Sequence, residues 1–209
     1  MIDIQYVAIV IGVVLFSMTL HEVMHGLVSN WLGDDTARLS GRLTLNPIKH
    51  IDPFLTLALP IILAIVGGPI FGGAKPVPFN PARIKYDEWG VALVAVSGPL
   101  VNLAIAFVLF GSYALAGAPG GLAEQILLTG VYVNLGFFVF NIIPIPPLDG
   151  SRVVYALAPE FVRRGMEAIE QYGIILIFAI VFLANGAIGS LILGSITGIV
   201  TIFRTIFGL

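Results

Sequence analysis

The chain has 209 residues, 58% of them hydrophobic and only 11% charged, with a formal net charge of −2 and a mean hydropathy of +1.02. A soluble domain of this length carries roughly a quarter charged residues, so this surface cannot face water all round and the chain reads as a polytopic membrane protein. No basic cluster points to nucleic acid, and the absence of cysteine removes both disulfides and thiolate metal sites.

In chain order, the first apolar run extends from Ile4 to about Val28. It has no basic leader and no small-residue cleavage site, so it is expected to stay as a span rather than leave as a signal peptide. Within it stands His21-Glu22-Val23-Met24-His25, an H-E-x-x-H pattern. Helical positions i and i+4 share a face, so both imidazoles reach one zinc ion, and Glu22 stands beside them as a general base.

Residues 38–45 alternate partly with period 2, and 75–81 are held extended by proline geometry. Both are expected as short β segments at the membrane surface. Between them, Phe54 to Val66 is apolar, with Pro60 inside it and Gly67-Gly68-Pro69 behind it. As a helix it reaches about 20 Å, short of a ~30 Å hydrocarbon core, so it is predicted to be re-entrant or to lie on the surface.

Further spans are predicted at Val91 to about Ala116, Ile126 to Ile143, Ile174 to Ala184 and Ile188 to Phe203, with a charged interfacial helix at Glu160 to Glu170. If 54–66 does not cross, all ten basic residues face the cytoplasm, with the N-terminus outside and the C-terminus inside after five crossings. The expected fold is an all-α polytopic membrane protein of about five to six transmembrane helices, with a short re-entrant segment and small membrane-surface β segments. Residues 1–155 form the catalytic membrane core. Residues 156–209 add the interfacial helix and two C-terminal transmembrane helices.

A catalytic zinc site takes three protein ligands and a water. His21 and His25 supply two. A third histidine in the metzincin position falls on Trp31, and no glutamate occurs between Glu22 and Glu88. The one other histidine, His50, reads better as an interfacial residue or a helix cap. Asp149 is the best remaining ligand, in a stretch broken by Pro144, Pro146 and Pro147 at the same membrane depth as His21. Broken backbone at that depth lines a cavity or is buried in protein, and an ionisable group there is functional by default.

These motifs, His21-Glu22-x-x-His25, Gly98-Pro99-x-x-Asn102 and Asn141-x-x-Pro144-x-Pro146-x-Leu148-Asp149-Gly150, resemble those of the site-2 protease family of intramembrane zinc metalloproteases. The resemblance covers roughly residues 5–155 and lacks the PDZ and CBS domains of larger members. It implies one zinc ion per chain on His21, His25 and Asp149, Glu22 as catalytic base, and Asn102 and Asn141 near the substrate carbonyl. It also implies a transmembrane protein substrate within the lipid bilayer. The simple architecture suits a prokaryotic cytoplasmic membrane, with the site toward the cytoplasm and homo-oligomerisation left open.

The competing readings are a zinc-dependent or proton-coupled transporter and an inactive scaffold. Residue by residue, Asn102 also reads as an interhelical packing residue. Gly98 and Gly150 read as points of close backbone approach, and Arg152 as a partner of lipid headgroups rather than of Asp149.

Overall fold

The computed structural model describes residues 3–59, 62, 73–173, 175–177, 179 and 186–209. Helix α1 runs Ile4–Trp31, its first turn capped by the Asp3 carboxylate, which accepts the Gln5 and Tyr6 N–H groups. Its 28 residues reach about 42 Å, more than a hydrocarbon core requires. The helix is inside out by the standard of a soluble protein. Ile4, Ile11 and Phe16 are exposed, whereas Ser17, Thr19, His21, His25 and Ser29 are buried. In lipid the apolar face needs no cover, and the polar side chains turn inward to find partners.

A short helix α2, Thr36–Leu39, follows. The chain then passes through single turns at Pro47–His50 and Pro53–Ala58 and a third at Pro81–Arg83, capped by the side chains of Asn46, Asp52 and Asn80. Helix α3, Asp87–Leu115, carries Pro99 in its interior, and α4 spans Gly121–Asn141. Helices α5, Gly150–Leu157, and α6, Glu160–Glu170, form a surface hairpin tied by Arg152–Glu170 and Tyr155–Glu167 hydrogen bonds. Arg152 is therefore engaged within the protein, contrary to the lipid contact expected for it. Helix α7 is Ala187–Phe207.

Four helices among the described residues, α1, α3, α4 and α7, are long and apolar enough to cross a membrane. The predicted span at 174–184 falls largely outside the described residues, and so do residues 60, 61 and 63–66 of the predicted re-entrant segment at 54–66.

Helices α1 and α3 are antiparallel. Ser17 lies beside Asn102, His25 beside Val94, and the Lys85 N–H donates to the Leu32 carbonyl. The chain therefore enters α3 at the end of the bundle where it left α1. Helix α4 returns alongside α3 after a tight turn at 116–120.

The expected placement of the two termini on opposite sides is corrected by α7. Phe203 and Phe207 stack against Phe107 and Phe110, and Arg204 and Leu209 share a cavity wall with Tyr113 and Ala118. Helix α7 thus runs parallel to α3 and finishes beside the 116–120 turn, at the N-terminal end of α1. One arginine in a loop count is weaker than this aromatic seam.

Neither expected β segment forms a strand among the described residues. Residues 36–39 are helical, started by the Asp34 carboxylate, which accepts the Thr36 N–H and hydroxyl. In 75–81, Pro76, Pro78 and Pro81 have no N–H to offer. Of the donors that remain, Lys75 N–H goes to the His50 carbonyl, Val77 N–H to the Glu22 carboxylate and Asn80 N–H to the Asp34 carboxylate. A ladder needs those groups free.

Asp34 fastens this surface layer to α1. It is fully buried, and its Oδ2 accepts the Asn80 N–H at 2.6 Å. Burial pushes its carboxyl pKa up. The bonds from Thr36 and Asn80 outweigh that, and the net shift is downward from the ordinary value.

Candidate metal centre

Each of the three motifs reaches the site by a different local device. His21 and His25 stand one turn apart on the buried face of α1, 7% and 9% exposed. Asp149 stands where α4 cannot continue, because Pro144, Pro146 and Pro147 break the helical ladder after Asn141. Leu148 is buried and anchors the turn. A Cβ on Gly150 would collide with the Ile142 carbonyl, so only glycine lets the chain pass this close. Asp149 holds the N-cap position of α5 but its side chain does not cap the helix. It faces the two histidines instead.

The Asp149 Oδ2 lies 3.2 Å from His21 Nε2 and 3.5 Å from His25 Nε2, and the two Nε2 atoms are 3.0 Å apart. Both histidines use their other nitrogen elsewhere. His25 Nδ1 is 2.8 Å from the Val94 carbonyl, and His21 Nδ1 is 2.6 Å from Asn102 Oδ1. A carbonyl only accepts, so Nδ1 of His25 carries a proton, and in the neutral imidazole that a metal requires Nε2 is then left as a lone pair. The buried Asp149 Oδ2 has no hydrogen-bond partner. With both rings neutral, two lone pairs and a carboxylate oxygen converge on one point, an arrangement that a cation resolves. Donors of a tetrahedral zinc site with bonds of about 2.0 Å stand roughly 3.3 Å apart, which these separations match.

Gly98 supplies the space. A Cβ there would lie 2.5 Å from His25 Nε2 and 2.6 Å from His21 Nε2. The missing side chain of α3 is the hollow in front of the donors, a role beyond the close backbone approach expected of it.

The other expected residues fall as follows. Glu22 is half-buried beside His21, and its Oε2 accepts the Val77 N–H at 2.7 Å. Asn102 is fully buried. Its Oδ1 faces His21, while its Nδ2 donates to Asn134 Oδ1 at 2.8 Å and more weakly to the Ser17 carbonyl at 3.4 Å. Asn141 donates to the Phe137 carbonyl of its own helix at 3.0 Å and is half-buried. His50 stands outside the three-donor group. It is fully buried and its Nε2 donates to the Thr44 carbonyl at 2.9 Å. Asn134 and Ser17, joined to Asn102 in a buried network, carried no signal in the sequence beyond being polar in an apolar run.

The family model described as "Peptidase family M50" matches residues 116–185. The chain is 42% identical over 175 residues to YwhC of Bacillus subtilis, covering 79% of this chain and 76% of that protein. It is 31% identical over 185 residues to Rip2 of Mycolicibacterium smegmatis, covering 83% of this chain and 67% of that protein. A shorter match, 38% over 98 residues, joins it to MJ0611 of Methanocaldococcus jannaschii, covering 47% of this chain and 50% of that protein. All three bear the name of zinc metalloprotease. No solved structure matches. With the motif residues gathered at one point and relatives of this identity over most of their length, the chain belongs to peptidase family M50, the site-2 proteases that its motifs resemble.

Proposed function

We propose that the protein is an intramembrane zinc metalloprotease that hydrolyses peptide bonds of membrane-embedded or membrane-proximal proteins, with its site toward the cytoplasmic face. The observation that carries this reading is the meeting of His21 Nε2, His25 Nε2 and an Asp149 carboxylate oxygen within 3.0–3.5 Å of one another. These three residues would hold one zinc ion, which when bound supplies a Lewis acid for the scissile carbonyl and for an attacking water.

The remaining work belongs to the chain. Glu22 adjoins the first ligand, and its carboxylate is steadied by the Val77 N–H at 2.7 Å. It takes the proton of the attacking water and returns it to the leaving amine. Val94 and Asn102 hold the two imidazoles with Nε2 turned into the site. Asn102 is wholly engaged in that task, so we assign it to His21 rather than to the substrate. Asn141, half-buried, gives one N–H of its amide to the Phe137 carbonyl and has a second N–H on the same nitrogen for a substrate carbonyl, so it is the better donor there. A helical substrate hides its scissile bonds in its own hydrogen bonding, so helix-breaking residues near the cleavage point favour turnover.

Glu22→Gln separates this reading from a transporter. The variant keeps one zinc per chain and loses cleavage of a single-span substrate by about 10²–10⁴-fold, the range for a general acid–base group. Wild-type cleavage by the variant, or purified wild-type protein without zinc, overturns the proposal. Zinc-linked flux that survives the substitution supports the transporter.

A further inference from the structure

We infer that Asn134, on α4, is a positioning residue that fixes the tautomer of the neutral His21 ring through Asn102. The inference rests on the metal site proposed above and adds a residue that belongs to none of the three motifs.

The argument is one of hydrogen-bond direction. Asn134 is fully buried, and its amide contacts the Gly130 carbonyl at 2.8 Å. A carbonyl accepts and never donates, so the group pointing there is the NH₂. The same NH₂ donates to the Ser17 hydroxyl at 2.9 Å. Asn134 Oδ1 is thereby turned toward Asn102 and must receive a donor, which only the Asn102 NH₂ can be, at 2.8 Å. The Ser17 carbonyl at 3.4 Å demands the same orientation of Asn102. Asn102 Oδ1 then faces His21 Nδ1 at 2.6 Å and requires a proton on it.

The polarity of a backbone carbonyl on α4 is therefore transmitted through two amides to an imidazole on α1, and His21 Nε2 is left as a lone pair. His25 reaches the same state directly, through the Val94 carbonyl. His21 has no carbonyl partner within reach of its Nδ1 among the described residues, and the pair of asparagines stands in for one. The relay lies in a dry interior, where an amide left without its partner costs free energy and is free to flip.

Asn134→Leu keeps the volume and removes the relay. Zinc affinity, read by chelator competition on the full-length protein in detergent, falls about 10–100-fold, the usual cost of losing an outer partner of a metal-bound histidine. The visible band of the cobalt-substituted protein shifts with it, while helix content is unchanged. Ser17→Ala leaves the Gly130 anchor in place and changes affinity less than threefold. A folded Asn134→Leu protein with wild-type zinc affinity and an unchanged cobalt band overturns the inference, since a packing residue would behave in that way. Wild-type protein that binds no zinc defeats the metal site itself, a separate outcome. If Asn134→Leu does not fold, nitrogen-15 spectra of the zinc-loaded wild type decide. The relay requires His21 to carry its proton on Nδ1 and the metal on Nε2, and metal on Nδ1 overturns it.

Discussion

The two sides of α3 are held by different physics. Toward α1 and α4 it meets buried polar groups: Asn102 against His21, Ser17 and Asn134, and the Val94 carbonyl against His25. Toward α7 it meets aromatic rings, Phe107 and Phe110 against Phe203 and Phe207, with Gly111 giving the Phe207 ring room to approach. The most apolar stretch of α3 is 44% buried and that of α7 only 11%, so α7 faces chiefly lipid. Where lipid is as apolar as the side chains, packing alone holds helices together and tolerates sliding. Hydrogen bonds fix register. The candidate metal centre sits on the side where register is fixed.

This contrast can be broken from the site outward. The largest effect belongs to Gly98→Ala. The new methyl group meets ring nitrogens that Asn102 and Val94 already hold in place, so they cannot yield. Zinc content falls from one per chain to none by metal analysis, while the α7 seam stays intact. Next comes Phe203→Ala in the aromatic seam. Its buried ring contacts are worth about 3 kcal/mol by analogy with packed cores, read as a lower detergent-unfolding midpoint, with zinc affinity unchanged. If zinc affinity falls in parallel, the two sides are not independent.

The smallest expected effect is at Asp34→Ala. The Thr36 and Asn80 amides lose their acceptor, at a cost of about 1–3 kcal/mol. Because the Asp34 pKa is lowered by folding, its contribution is complete above the ordinary value of 3.8 and disappears as pH falls through the lower native value. Wild-type and variant unfolding midpoints differ at pH 6 and converge in strong acid. A difference that persists there breaks the assignment.

The sequence revealed the parts of the site that are local or sit in fixed patterns. His21 and His25 are one helical turn apart, and Asp149 follows a run of prolines that no span tolerates. Gly98 was visible as a glycine, though its use as the hollow before the donors was not. Asn134 was invisible for a physical reason: its side-chain partners Asn102 and Ser17 lie 32 and 117 positions away, so no spacing encodes them. The surface layer misled because alternation in 38–45 and prolines in 75–81 imitate strands, while the donors a ladder needs are claimed by Glu22 and by the His50 carbonyl. The direction of α7 depends on which rings meet across the bundle, and a single arginine does not report that.

The parallel course of α7 and α3 also dictates what lies on each bank of the membrane. Tyr6 near the start of α1 lines a cleft with Glu124 and Gln125, and Leu209 lies beside Tyr113 and Ala118. Labels attached before Ile4 and after Leu209 therefore emerge into one compartment, across the bilayer from Asp149.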